Sequence, residues 1–162
     1  KDCSKNEKIQ KDYLMIEDLK SEIKADEGCV NSVYLDHLNL KTLGVGHLVT
    51  EWDEEYDKPV DTTVSDDRVN ELFEKDINVT LEECRYLYDD FDNLPEEVQK
   101  IIGNMMFNLG RPRLSRFHKM KKAVLDKDWQ EAANQMQDSK WYEQVTNRAE
   151  RLCERMRNVD SA

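Results

Sequence analysis

Residues 26–50, DEGCVNSVYLDHLNLKTLGVGHLVT, form the stretch that decides the fold of this 162-residue chain. Upstream of it, near-helical spacing predicts a helix from about residue 7 to residue 26, carried by Ile9, Tyr13, Leu14, Ile16, Leu19 and Ile23. Gly28 is a typical residue at the carboxyl end of a helix, where a left-handed backbone is common. We therefore expect Glu27 at a rigid helix end rather than on a swinging loop.

Two short β-strands are predicted after this helix. Residues 33–36 and 40–43 favour extended structure, and Asn39 between them favours a turn. We expect Asp36 and Thr42 to face each other near the open end of the resulting hairpin.

Two carboxyl groups held apart in this way suit the hydrolysis of an acetal. One carboxyl group protonates the leaving oxygen while the other positions a water molecule, with a hydroxyl group beside it. Glu27 is the candidate acid, because desolvation at a packed helix end favours the protonated form of a carboxyl group. Asp36 is the candidate ionised partner, and Thr42 supplies the hydroxyl. The alternative is that an acidic chain places carboxylates at these spacings by chance.

These residues resemble the phage-type lysozymes, a family of glycoside hydrolases. The matching motifs are Asp-Glu-Gly at residues 26–28, Asp36, Thr42 and Gly-x-Gly-His-Leu at residues 44–48. Later matches are Asn104-Met105, Phe107, Gly110, Phe117, Asp128-Trp129, Glu131-Ala132-Ala133, Ser139-Lys140-Trp141-Tyr142 and Thr146-Asn147-Arg148-Ala149. The resemblance covers roughly residues 17–159 and implies a mainly α (α+β), two-lobed fold. In such a fold a long helix joins a small antiparallel β-sheet lobe to a helical lobe.

The resemblance divides the chain into four parts. Residues 1–16 precede it and are predicted to be a helical amino-terminal extension. Residues 17–64 form the amino-terminal lobe with the catalytic hairpin, residues 65–88 the long connecting helix, and residues 89–162 the helical carboxy-terminal lobe.

Capping residues and apolar spacing predict the remaining helices. Ser65 is a good N-cap for the connecting helix. Residues 98–106 are apolar on most sides, which indicates a central buried helix. Shorter helices are predicted at residues 115–125, 129–137 and 146–156, and an irregular loop or frayed strand at residues 51–63.

The resemblance also implies roles for individual residues. It implies inversion at the sugar carbon, with Asp36 and Thr42 positioning the water and the two carboxyl groups ~6.5–9.5 Å apart. It pairs Arg148 with the acid and His47 with Asp76, although a histidine also invites a catalytic interpretation.

Three further residues, Leu48, Phe107 and Gln135, fall at family positions that line the sugar cleft. Phe107 is equally compatible with the core. Met120 stands where the family offers a small hydroxyl group, so one sugar contact should be altered or lost. The resemblance implies no metal and no cofactor.

The net charge of −11 is unevenly distributed. Residues 1–95 carry 25 acidic and 11 basic side chains, whereas residues 96–162 carry 10 and 13. The basic excess concentrates in residues 111–122, but the acidic remainder would repel nucleic acid, so we do not predict nucleic-acid binding. The same acidity should weaken binding to an anionic cell wall at low salt. No apolar run approaches the ~20 residues of a membrane span.

The cysteines leave two alternatives open. The even number of Cys3, Cys29, Cys84 and Cys153 favours two disulfide bonds in a secreted protein, whereas reduced thiols fit a cytosolic one. Without a C-x-x-C spacing, a zinc site is not predicted. The sequon at residues 78–80 and the absence of an initial Met also favour secretion. The alternative is a phage protein that acts from the host cytoplasm and then in the periplasm.

We predict a lysozyme, or muramidase, which would hydrolyse the β-1,4 bond between N-acetylmuramic acid and N-acetylglucosamine in bacterial peptidoglycan and act against bacteria. It should be a monomer. The alternatives are a chitin-directed hydrolase on the same fold and a non-catalytic peptidoglycan-binding protein. Glu27, Asp36 and Thr42 argue against a pure binder, because binding alone does not require all three.

Overall fold

The computed structural model describes residues 3–160, which form a mainly α structure with one small antiparallel sheet. The predicted mainly α (α+β) class is confirmed. The described residues contain α1 (Cys3–Glu27), β1 (Val30–Leu35), β2 (Lys41–Gly44), β3 (His47–Leu48), α2 (Asp66–Leu87), a 3-10 helix (Phe91–Asn93), α3 (Glu96–Leu109), α4 (Arg111–Leu114), α5 (His118–Leu125), α6 (Trp129–Gln137), α7 (Lys140–Gln144) and α8 (Thr146–Arg157).

Contacts divide the chain into two compact units. One unit holds Lys20–Val79, and the other holds the described residues on both sides of that segment. The boundaries fall inside α1 and α2, so each of these helices contributes to both units. No helix within residues 3–160 combines the length and apolar composition that a membrane crossing requires.

The carboxyl end of α1 agrees with the prediction. The helix ends at Glu27, and Gly28 follows with a φ of 76°. The Gly28 N–H donates to the Lys24 carbonyl at 2.9 Å. This bond satisfies one of the carbonyl groups that lack an intrahelical partner at the end of a helix. The backbone before β1 is therefore fixed by a local hydrogen bond.

The apolar side chains of α1 are buried only in the second half of the helix. Met15, Leu19 and Ile23 are buried, whereas the side chains of residues 3–14 are exposed. The helix predicted from about residue 7 to residue 26 is confirmed. Helical spacing identifies residues that share a face, but it does not tell whether another element covers that face.

The sheet has the order β1-β2-β3, with both neighbouring pairs antiparallel. The sequence predicts two strands here, so β3 was not predicted. Gly44 and Gly46, with φ values of 59° and 63°, flank the turn between β2 and β3. A Cβ atom at Gly44 would lie 3.0 Å from Val69 Cγ1, so glycine allows the sheet to approach α2 closely.

Ser65 caps α2, as predicted. Its Oγ accepts a hydrogen bond of 3.2 Å from the Arg68 N–H, and Asp66 and Asp67 follow at the positive end of the helix dipole. The core of the Lys20–Val79 unit includes the buried side chains of Ile23, Val33, Leu43, Val45, Val69, Leu72, Phe73 and Ile77.

The predicted central helix, α3, is the buried centre of the other unit. Nine of its fourteen residues are buried, and burial of each large apolar side chain contributes about 1.5–3 kcal/mol. A Cβ atom at Gly103 would lie 2.8 Å from Leu19 Cδ2, so α1 and α3 are in close contact there. Elsewhere in this unit, α6 packs against α5 and α8.

The short helices after α3 were predicted in part. α6 has the predicted bounds, and α8 ends at Arg157, one residue later than predicted. α5 begins at His118 rather than residue 115, because residues 115–117 form the turn after α4. The five-residue α7 was not predicted, although Ser139 caps it by accepting from the Tyr142 N–H at 3.2 Å.

The four cysteines are free thiols, which corrects the prediction of two disulfide bonds. Cys84 and Cys153 are buried on α2 and α8, and burial raises the pKa of their thiols to about 12 and about 11. Both therefore pack as small, protonated apolar side chains. Cys3 and Cys29 are exposed. An even number of cysteines is compatible with pairing but does not require it.

Gly28→Ala should lower the free energy of unfolding by about 1 kcal/mol, because an L side chain is strained in the left-handed conformation. No atom lies within 4 Å of the added Cβ, so the loss would come from the backbone alone. Urea unfolding of the wild type, Gly28→Ala and Gly28→Asn measures this effect. Gly28→Asn should lose less, because asparagine tolerates this conformation better. An alanine variant as stable as the wild type would contradict the prediction.

Candidate active site

Glu27, the predicted acid, is the last residue of α1 and is partly buried. Its position is set by the helix on one side and by the hydrogen-bonded Gly28 on the other. A carboxyl group at the end of a helix has little backbone freedom, which suits a group that must donate a proton to a bond at a fixed angle.

Asp36, the predicted ionised partner, lies where β1 enters the turn to β2. Its Oδ1 accepts hydrogen bonds from the Leu38 N–H at 2.8 Å and the Leu40 N–H at 3.0 Å. The hydrogen bond from Leu40 lowers the pKa of Asp36 most. Burial acts in the opposite direction, but the hydrogen bond from Leu38 and the charge of His37 add to the lowering, and the pKa lies below its ordinary value. The carboxylate is thus held in one orientation and stays ionised where a general base works.

The expected position of Asp36 in the hairpin was wrong. Asp36 lies at the turn end, where its own N–H donates to the Leu40 carbonyl at 3.0 Å, and not at the open end. Thr42 is paired with Tyr34 instead of Asp36. The observed strands are 30–35 and 41–44, so the connection between them is longer than the predicted one at residues 37–39 and includes Asp36.

Thr42 is buried in β2, and its Oγ1 donates to the Leu40 carbonyl at 2.9 Å. Because the hydroxyl hydrogen is used in this bond, the oxygen lone pairs can accept from another donor. The peptide groups of Leu40 therefore hold both predicted water-positioning groups: its N–H binds Asp36 and its carbonyl binds Thr42.

A row of three side chains crosses the sheet on one face. Tyr34 in β1 pairs with Thr42 in β2, and Thr42 pairs with Leu48 in β3. Residues directly opposite in antiparallel strands project to the same face, so Leu48, which is half exposed, shares this face with Thr42.

His47 bridges two carboxylates within the Lys20–Val79 unit. Its Nδ1 lies 2.6 Å from Asp76 Oδ2 and its Nε2 lies 2.8 Å from Asp53 Oδ2. Burial lowers the pKa of His47, but the hydrogen bonds to Asp76 and Asp53 outweigh it, and the pKa lies above its ordinary value. Since carboxylates only accept, both bonds require a hydrogen on each ring nitrogen, as in the imidazolium ion. The structure thus brings His47 and Asp76 together and adds Asp53, which the sequence did not indicate.

Asp53 also fixes the loop after β3, which the sequence predicts to be irregular. Its Oδ2 accepts a hydrogen bond from the Thr50 N–H at 2.8 Å, and Arg68 Nη2 lies 3.9 Å from its Oδ1. Arg68 in turn donates two hydrogen bonds to the buried Glu55, from Nε at 2.6 Å and Nη2 at 3.0 Å. Two buried acidic side chains therefore hold this loop to β3 and α2.

The remaining predicted residues lie in the other unit. Phe107 on α3 is partly buried, and Gln135 on α6 donates to Glu131 Oε1 at 2.6 Å. Arg148 on α8 is buried and donates to Asn104 Oδ1 at 2.7 Å. Met120 is fully buried. The roles that the resemblance implies for Phe107, Gln135 and Arg148 stay predictions.

Comparison with known proteins identifies one matching family and several relatives. The phage lysozyme family model matches residues 24–158. The chain is 31% identical to "Probable T4-type lysozyme 1" and 28% identical to "Probable T4-type lysozyme 2" of Dictyostelium discoideum, in each case over 85% of this chain and 92% of the relative. It is also 26% identical to the "Pre-baseplate central spike protein Gp5" of Enterobacteria phage T4, over 80% of this chain and 26% of that protein. The chain therefore belongs to the phage lysozyme family and is a lysozyme-type glycoside hydrolase.

Proposed function

We propose that the protein hydrolyses the β-1,4 bond between N-acetylmuramic acid and N-acetylglucosamine in bacterial peptidoglycan, with inversion at the sugar carbon. Glu27 protonates the leaving oxygen. Asp36 and Thr42 hold the attacking water, and Asp36 takes its proton. The observation that carries this proposal is the joint anchoring of Asp36 and Thr42 by the peptide groups of Leu40.

This anchoring supports a water site with two acceptors. The Asp36 carboxylate accepts, and the Thr42 oxygen can accept because its own hydrogen is donated to Leu40. A water molecule that donates one hydrogen to each group keeps a lone pair free to attack the sugar carbon. Positioning the nucleophile in this way replaces a bimolecular encounter by reaction within a bound complex, which lowers the barrier by several kcal/mol.

Inversion follows from a role of Asp36 as base rather than nucleophile. In an inverting enzyme the two carboxyl groups stand ~6.5–9.5 Å apart, which leaves room for the water between the base and the sugar. The low pKa of Asp36 and its two backbone donors favour a carboxylate that stays in place as a base. Proton NMR of newly formed reducing ends tests this step. Inversion releases the α-anomer first, whereas retention would release the β-anomer.

Asp36→Asn should lower sugar release from purified Gram-negative peptidoglycan by on the order of 10²–10⁴-fold. The variant keeps the Oδ1 acceptor for the Leu38 and Leu40 N–H groups, so the hairpin should persist while the base is lost. Release of reducing ends is compared for the wild type, Asp36→Asn and Asp57→Asn, an exposed aspartate of the same unit. The Asp57 variant should match the wild type.

The same assay separates the alternative functions. Chitin oligomers are offered beside peptidoglycan, from low salt to the ionic strength of seawater. Turnover of chitin alone would replace the peptidoglycan proposal by a chitin-directed hydrolase, and binding without turnover of either would indicate a non-catalytic binder. Because the net charge is −11, release from anionic peptidoglycan should rise as salt screens the repulsion.

We further propose a bacteriolytic role outside the producing cell. Secretion stays a prediction that no longer has support from disulfide bonds, since the cysteines are free thiols. A monomeric state also stays a prediction.

A further inference from the structure

We propose that Trp52 is a sugar-binding platform: its exposed indole ring stacks on a pyranose ring in the glycan strand of the substrate. This inference deepens the proposed function and rests on it for the identity of the polymer. Trp52 lies outside the motifs that carry the family resemblance and is 86% exposed, whereas Trp129 and Trp141 are 5% and 2% exposed. Tryptophan is highly buried on average, so the exposure of Trp52 requires an explanation outside the core.

The backbone that carries Trp52 is fixed within one turn. The Asp53 N–H donates to the Thr50 carbonyl at 3.0 Å, and the Thr50 N–H donates back to Asp53 Oδ2 at 2.8 Å. The Trp52 N–H donates to Thr50 Oγ1 at 3.4 Å. Trp52 is the third residue of this four-residue turn. A rigid aromatic side chain on a fixed backbone loses little conformational entropy when it binds a ligand.

Two buried carboxylates anchor the loop that contains this turn. Asp53 Oδ2 lies 2.8 Å from His47 Nε2 on β3, and Glu55 accepts two hydrogen bonds from Arg68 on α2. Surface loops are usually more mobile than the elements they connect. Here ion pairs hold the loop against β3 and α2, so the loop presents Trp52 in a defined position.

The turn follows the edge strand of the sheet that carries Thr42. Leu48 of β3 pairs with Thr42, and the N–H of the next residue, Val49, donates to the Lys41 carbonyl at 3.0 Å. Trp52 comes three residues after Val49 in the chain. A glycan strand extends over several sugar units on both sides of the bond that is cut. A contact beside the sheet therefore adds to the binding of long strands.

The charge around Trp52 favours a neutral ligand. Residues 51–58 carry five acidic side chains and one basic side chain, and this excess repels nucleic acid and anionic lipid headgroups. The C–H faces of a pyranose ring are uncharged, and their weakly positive hydrogens match the negative face of an indole ring. Because the chain is a lysozyme-type glycoside hydrolase, its substrate contains such rings. A cationic peptide also fits the charge, and the experiment below distinguishes it.

Fluorescence quenching by acrylamide tests the contact directly. Trp129 and Trp141 are buried, so the quencher reports mainly on Trp52. A neutral N-acetylglucosamine hexamer is added to Glu27→Gln, which should bind the sugar without cutting it. The quenching constant should fall by about half as the sugar covers the ring. Quenching that stays unchanged at every sugar concentration would overturn the inference. Protection by an amphipathic lysine–leucine peptide, but not by the sugar, would replace it by a peptide-binding surface.

Trp52→Ala should raise KM on soluble peptidoglycan strands by about 5-fold to 30-fold and leave kcat within about twofold of the wild type. Circular dichroism should show an unchanged fold, because the ring is exposed. Trp52→Phe should recover part of the loss, since phenylalanine keeps a face for stacking. Tyr13→Ala, which removes an exposed aromatic ring from α1, is the control and should leave KM and kcat unchanged.

The inference and the proposed function fail in different ways. A wild type that releases no sugar from peptidoglycan would overturn the proposed function, whereas protection of Trp52 by sugar does not depend on turnover. An active wild type with a Trp52→Ala variant of equal KM would overturn only the role of Trp52. A variant with lowered kcat and unchanged KM would also overturn it, because that pattern indicates a disturbed catalytic group rather than a lost sugar contact.

Discussion

Glu27→Gln should lower kcat on peptidoglycan by on the order of 10³-fold, while KM and the unfolding temperature stay close to those of the wild type. The amide has nearly the shape of the carboxyl group but cannot give up a proton to the leaving oxygen. General acid catalysis contributes on the order of 10²–10⁴-fold, and an alkoxide leaving group at neutral pH depends on it. An equal loss in kcat and kcat/KM would indicate that the interaction exists only in the transition state.

The fold of the variant should survive, because the helix end is held by the backbone. Gly28 caps α1 through its N–H bond to Lys24, and this bond does not involve the side chain of Glu27. Sugar release, circular dichroism and binding to insoluble peptidoglycan are measured on the same preparation. Binding without release separates the loss of the acid from a loss of structure.

Glu51→Gln is the matched control for this prediction. Glu51 is an exposed glutamate of the Lys20–Val79 unit, so its substitution changes the net charge by the same amount. Its kcat should equal that of the wild type. A Glu27→Gln variant that retains more than about a tenth of wild-type activity would remove Glu27 from its role as acid.

The elements that follow from short-range rules could be predicted from the sequence. The end of α1 depends on one glycine with positive φ, and the start of α2 depends on the Ser65 cap. Both features involve residues at most four positions apart, so local sequence suffices. The central α3 was predicted because it is apolar on nearly all sides and does not require a choice of face.

The features that depend on partners distant in sequence could not be predicted. The register of the hairpin pairs Tyr34 with Thr42 and leaves Asp36 at the turn end, and it is fixed by backbone hydrogen bonds between two strands rather than by the residues of one strand. Asp53 stands in an acidic loop like its neighbours, and only its contact with His47 distinguishes it. Side chains of α1 are buried only from Met15 onward, since their exposure depends on which other elements cover the helix.

The stability of the Lys20–Val79 unit should depend on pH through His47. Its pKa is raised in the folded state, so its contribution is fully present below the unfolded value of about 6.5 and is lost as the pH rises through the folded value. The pKa of Asp53 is shifted in the opposite direction. Burial raises its pKa, but hydrogen bonds from Thr50 and His47 outweigh burial and lower the pKa. Its contribution is present above about pH 4 and is lost as the pH falls through the folded value.

The stabilising contributions of His47 and Asp53 are therefore both present between roughly pH 4 and pH 6.5. His47→Gln should lower the free energy of unfolding in that window by about 3 kcal/mol, because removing one partner of a buried ion pair leaves the other charge uncompensated. Glutamine carries no charge, and its amide can donate to only one carboxylate at full strength, which leaves a buried carboxylate without its cation. Above pH 6.5 the wild type should lose stability with a slope that approaches about 1.4 kcal/mol per pH unit, until His47 is neutral.

Urea unfolding from pH 4.5 to pH 8.5 measures this effect as the difference between the wild type and His47→Gln. The difference should be largest near pH 5.5 and should shrink towards pH 8.5, where both proteins lack the positive charge. His118→Gln provides the control, because His118 is exposed on α5 and its replacement should change stability little at any pH. If the difference were constant across the range, the two carboxylates would bind a neutral imidazole. Hydrogen bonds without charge would then hold the loop after β3 to α2.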